Sequence, residues 1–183
     1  MDETKACQMT GNPLRKIPPE AISWYAASAM TTIGNEEDYA YFLPRILELS
    51  ILENLKFPDL EITGKRIHMS GYSHWPEKRR LALTQVFVAV TSSTLANGKF
   101  FELDSWITAI ALTGQDIQPY LAMLEQHPNA VLNYFEGNAA TLPEGRLRNA
   151  FWPASHPGQD AIVAWFRSPA IRKILFDAYG YVI

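Results

Sequence analysis

Four histidines, one cysteine and a few arginine–aromatic groupings are the residues of this 183-residue chain able to do chemistry. His68, His74, His127 and His156 include no pair at the i,i+4 spacing that places two imidazoles on one helix face for a metal. Gly71-Tyr72-Ser73-His74-Trp75 begins like a nucleophile elbow, but Trp75 stands where the second glycine belongs. Gly64-Lys65-Arg66 and Gly98-Lys99-Phe100 lack the remainder of a phosphate-binding loop. Cys7 is alone, so neither a disulfide within the chain nor a cysteine zinc cluster can form. These patterns assign no catalytic residue, no metal and no cofactor, and they favour a non-catalytic protein over an enzyme.

Recognition residues are easier to nominate. Asp38, Tyr41, Arg45 and Glu48 share one side of a helix, where Arg45 can pair with Glu48 and stack on Tyr41. Trp24 lies opposite the apolar face of its own helix and suits either packing or a contact with another molecule. Residues 65–80 hold five basic side chains against Glu77, with Tyr72 and Trp75 among them, so Trp75 and Arg79 can meet a phosphate or a base. Residues 34–61 carry seven acids and two bases, and the simpler expectation is that these two segments offset each other. Arg146, Arg148, Trp152 and His156 form a second candidate anion site in the stretch 142–157.

The elements that must position these residues read as helices. Pro18-Pro19-Glu20 opens one whose face is Ile22, Tyr25, Ala26, Ala29 and Ile33, with Gly34 as its stop. Asn35 caps the next, Glu36, Glu37 and Asp38 suit its positive end, and Pro44 is expected to kink it before it runs out near Lys56. Residues 57–74 read as a connection with one short helical turn. Trp75-Pro76-Glu77 opens a helix to Ala96, apolar along Leu83, Val86, Phe87, Val90 and Thr94 and again along Leu81, Val88 and Leu95. Two apolar stripes predict a central helix packed on both sides. Asp104 or Ser105 caps a helix through Trp106, Ile107 and Ile110, and Asp116 caps another through Tyr120, Leu121 and Leu124. Pro128 opens one to Phe135, residues 138–157 form a long loop, and Gln159–Arg167 and Pro169–Tyr179 complete the chain.

The fold class is therefore all-α: a flexible tail over 1–16 and a single helical domain over 17–183. Gln118, Pro128 and Phe135 match Gln159, Pro169 and Phe176 at a constant offset of 41, the size of a HEAT-type helix pair. A helix-pair solenoid and an irregular bundle both fit. Hydrophobic content of 48% and charge of 19% are globular values, and a net charge of -3 supplies no basic field for nucleic acid or an anionic membrane. No apolar run spans a bilayer and Met1–Lys16 lacks a signal-peptide core, so a reducing cytoplasm is expected.

The stretch Asp38-Tyr39-Ala40-Tyr41-Phe42-Leu43-Pro44-Arg45-Ile46-Leu47-Glu48-Leu49 resembles a segment of uncharacterised bacterial helical proteins. The resemblance covers those residues alone and implies no activity. The expected function is a protein-interaction module, an adaptor or a toxin-neutralising partner. The alternatives are a small-anion-binding protein or enzyme using 65–80 and 142–157, and RNA binding through Lys78, Arg79 and Arg80.

Overall fold

The computed structural model describes residues 3–52, 55 and 57–180, with side chains from residue 7 onward. Among them are ten α-helices, four 3-10 turns and no β-strand beyond an isolated bridge between Ala29 and Ile33. The all-α class holds. The chain divides into two compact units, residues 1–74 and 75–183, where one domain behind a tail was expected.

The first unit contains α1 (Glu3–Thr10), α2 (Pro19–Ser28), α3 (Glu36–Ile51) and α4 (Leu60–Met69). The expected tail is helical across α1, which packs on α2, and Met9 is buried. Helix α2 buries Ile22, Tyr25 and Ala26 as the spacing predicts, yet it stops at Ser28 instead of reaching Gly34. The Ser28 carbonyl explains the early stop. It accepts from the amides of Thr31, Thr32 and Ile33 and from both threonine hydroxyls, so side chains compete with the helical ladder. Met30 in this turn is left-handed, with φ 57.

Asn35 caps α3 in a reciprocal box. Its side chain accepts from the amides of Glu37 and Asp38 at 2.9 and 3.0 Å, and its own amide donates to Asp38 Oδ2 at 2.9 Å. Pro44 lies inside this single helix, on its exposed side, and does not restart it. The helix ends at Ile51; the expected end at Lys56 lies outside the described residues. The stretch read as a connection holds the ten residues of α4, a correction. Buried Gly64 and the β-branched Ile62 and Thr63 lower its helix propensity. Its placement is tertiary: the Tyr39 hydroxyl donates to the Thr63 carbonyl, and Arg66 donates to the Ala27 carbonyl.

The second unit contains α5 (Glu77–Ala96), α6 (Leu103–Leu112), α7 (Gln118–Glu125), α8 (Pro128–Asn138), α9 (Pro157–Phe166) and α10 (Pro169–Tyr179). Helix α6 is its axis, buried at eight of ten positions and packed against α5 and α9. Helix α7 meets α5, α8 and α9, while α10 meets α8 and α9. One expected start falls as the sequence suggests, since Ser168 Oγ accepts from the Ile171 amide at the start of α10. Asp116 lies one residue before the α7 cap position, which Ile117 occupies, and its Oδ1 accepts from the Gln118 amide. The expected start at Asp104 is corrected, since Asp104 lies within the first turn of α6 and a 3-10 turn at Phe100–Glu102 leads into the helix. Helix α8 runs three residues past Phe135, through Gly137.

The two-sided packing expected of α5 is also corrected. Leu83, Phe87, Val90 and Leu95 are buried, but Leu81 is 54% and Val88 38% exposed. The helix presents its second apolar stripe to solvent over the first three turns and buries only that stripe's last member.

Candidate functional site

The polar side of α3 is mostly structural. Arg45 donates from Nε and Nη2 to the Ile17 carbonyl at 3.3 and 3.0 Å and from Nη1 to Glu48 Oε2 at 2.8 Å. A single guanidinium thus ties the chain entering α2 to α3. Asp38 is committed to the helix cap, while Tyr41 is 58% exposed and packs edge-on against Phe42 at 4.9 Å. Trp24 is half-buried.

In the second unit Trp75, nominated with Arg79 to meet a phosphate or a base, is buried, and the Arg79 guanidinium lies 5.5 Å from its ring centre as an internal cation–π pair. Arg146 pairs with Glu144. The amide of Arg148 donates to Asn138 Oδ1 at 2.8 Å. Trp152 is half-buried, its ring 5.3 Å from that of His156.

These loop residues surround a polar layer that composition and spacing do not announce. Asn149 donates to Asp104 Oδ2 at 2.8 Å, and buried Asn138 donates to the Tyr134 carbonyl. Asp104 Oδ1, Thr108 Oγ1, Tyr134 Oη and Trp152 Nε1 are buried without a protein partner. Burial raises the Asp104 carboxyl above its ordinary range, although Asn149, Asn138 and the Arg148 charge all favour the ionised form. The Tyr134 phenol is pushed up by burial first and by Asp104 second. Asp104 and Thr108 are four apart on α6, and a Cβ on Gly158 would meet Ala111 one turn further along at 2.8 Å. Asn149 and Gly158, at the two ends of this stretch, therefore meet one face of α6. This layer anchors the long loop.

The open surface with the least internal explanation is on α5. From Leu81 to Ala96 the helix has no charged residue, and Leu81, Ala82, Gln85, Val88, Ala89 and Ser92 of that span are exposed. At 100° per residue these six cover one continuous face, opposite Phe87 and Val90. A solvated helix face ordinarily carries charge, and this one carries apolar and neutral side chains over four turns.

The described residues contain no group of three His, Cys, Asp or Glu placed to hold a metal ion, and no helix long and apolar enough to cross a membrane. The chain matches no protein-family model, no curated protein and no solved structure.

Proposed function

We propose that this protein is a non-catalytic, cytoplasmic helical module that binds another protein through the outer face of α5. The observation that carries this proposal is the charge-free exposed surface from Leu81 to Ser92. Leaving Leu81 and Val88 in water forgoes roughly 1 kcal/mol at each, given their partial exposure. A partner with an apolar ridge recovers it, and no charge on this face has to be stripped of water when the two surfaces meet. The contacts of α7 with α9 and of α8 with α10 support a stack of two helix pairs, the arrangement by which solenoids build extended binding surfaces. The 41-residue match supports it less, because Phe135 is buried and Phe176 is 56% exposed.

The test is photocrosslinking in native cells from a benzophenone amino acid at position 81 or 88, with exposed Ala164 of α9 as the control position. A defined protein adduct from 81 and 88 but not from 164 is expected. The double change Leu81→Glu and Val88→Glu is expected to weaken capture of that partner at least about tenfold while the circular dichroism melt is unchanged. Equal labelling from all three positions, or none from 81 and 88, would sink the proposal.

A further inference from the structure

The exposed face of α5 has an internal order. Leu81 and Val88, Ala82 and Ala89, and Gln85 and Ser92 are each seven residues apart, so three rows run along the helix. At 100° per residue Leu81 and Val88 form one edge, Ala82 and Ala89 the other, and Gln85 and Ser92 the strip between them. Exposed Lys78 lies on that central strip, two turns before Gln85. A seven-residue repeat keeps a row facing a second helix that lies lengthwise against it at a shallow crossing angle. A loop, or a helix crossing steeply, would meet only one turn of it.

The rows also say which helix. A charged partner surface would lose water here without gaining an opposite charge, because the face is neutral from Leu81 to Ser92. Its own image fits better. A two-fold axis at Gln85, between antiparallel helices, keeps each edge against the same edge of the second copy. Leu81 of each copy then lies beside Val88 of the other, which makes two apolar contacts along one side. Ala82 lies beside Ala89 twice along the other side, where short side chains let the helix axes approach. Gln85 faces Gln85, and a carboxamide both donates and accepts, so it complements itself. Lys78 approaches the last turn of the other α5, the negative end of the helix dipole. A parallel pairing would instead set Lys78 against Lys78. An isologous interface requires this kind of self-complementarity.

We propose that the partner of the α5 face is a second copy of this chain, the two α5 helices packing antiparallel about a two-fold axis at Gln85. This names the occupant of the surface proposed above and rests on that reading. A single helix face is smaller than the roughly 800 Å² per partner of a stable complex. The pairing is therefore weak, with a dissociation constant on the order of 100 µM.

The experiment uses the full chain carrying Cys7→Ser, so that an introduced cysteine is the sole thiol. Under mild oxidation Gln85→Cys is expected to give a disulfide dimer at least about tenfold faster than Ala164→Cys on the exposed side of α9, because residue 85 meets itself at the axis. A mixture of Lys78→Cys and Ser92→Cys chains is expected to cross-link faster than either alone, which marks antiparallel order. In sedimentation equilibrium the chain without an introduced cysteine should rise toward twice its monomer mass between about 10 µM and about 1 mM. Leu81→Glu with Val88→Glu should hold it monomeric while the circular dichroism melt is unchanged. A chain that stays monomeric at about 1 mM, equal rates from 85 and 164, or Lys78→Cys alone outpacing the mixture would overturn the proposal. A photoadduct with a different protein would then still uphold the α5 face as a binding surface. Missing adducts at 81 and 88 in cells remove that reading, and sedimentation reports on the pair independently.

Discussion

Arg45 shows how a residue nominated for recognition becomes a brace. Its side chain is 13% exposed, and its guanidinium meets the Ile17 carbonyl twice and Glu48 once. Bonds from a charged donor are worth more than neutral ones, so Arg45→Ala should cost about 2–3 kcal/mol, read as a lowered urea midpoint. Tyr41→Ala, two-fifths shielded and bonded to nothing but a neighbouring ring, should change that midpoint by less than about 0.5 kcal/mol. Asp104 makes the opposite case, a residue expected to cap a helix that instead sits inside one with a raised pKa. A carboxyl whose folded pKa exceeds its unfolded value binds more protons folded than unfolded between the two. Its contribution is therefore present at low pH and declines as pH rises from about 4 through the folded pKa. Asp104→Asn keeps an oxygen for Asn149 and should flatten that decline, measured as the difference in melting temperature between the two proteins from pH 4 to 8. A parallel pH profile for both would exclude Asp104 as its source.

At the scale of the element, local chemistry was legible wherever it sufficed. The Asn35 box, the proline start and full length of α5, and the Ser168 cap of α10 could all be read from short patterns, because capping is settled within four residues. Helix α4 could not. Its Gly64 and β-branched pair argue against a helix, and only the bonds from Tyr39 and Arg66 to distant carbonyls show why the segment coils. The stop of α2 was missed for a related reason. Gly34 is a plausible terminator, but the two threonine hydroxyls reach Ser28 first. The apolar content of α5 was legible and its environment was not, since periodicity reports which residues share a stripe and not whether anything covers it. The candidate sites follow the same division. Trp75 and Arg79 could be read as a basic–aromatic grouping but not as partners of each other, and nothing in the sequence brings Met30 and Met69 from their separate elements to one surface.

For the molecule as a whole, the division at His74 and Trp75 was not marked by any linker composition, because Gly71 to Pro76 resembles every other turn in the chain. The second unit has its own core. Tyr134, Phe135 and Phe166 pack ring to ring, Trp165 donates from Nε1 to Glu125 at 2.8 Å, and α6 is enclosed by its neighbours. A unit of this size buries enough of its own surface to fold alone. Residues 75–183 expressed separately should therefore give a helical circular dichroism spectrum and a single cooperative melt. A spectrum of random coil, or a melt without a transition, would show that the second unit depends on the first.

Met30 and Met69, which line one open cleft of the first unit with Gly34, Asn35, Glu36 and Glu37, carry one more consequence. Met69 is 47% exposed and Met30 is partly exposed, which leaves both side chains within reach of peroxide. Oxidation to sulfoxide would turn two apolar side chains polar without changing the charge of Glu36 and Glu37 beside them. The cleft is thus perishable in a way that the α5 face, built of leucine, valine and alanine, is not: an oxidant would blunt one surface of this protein and spare the other.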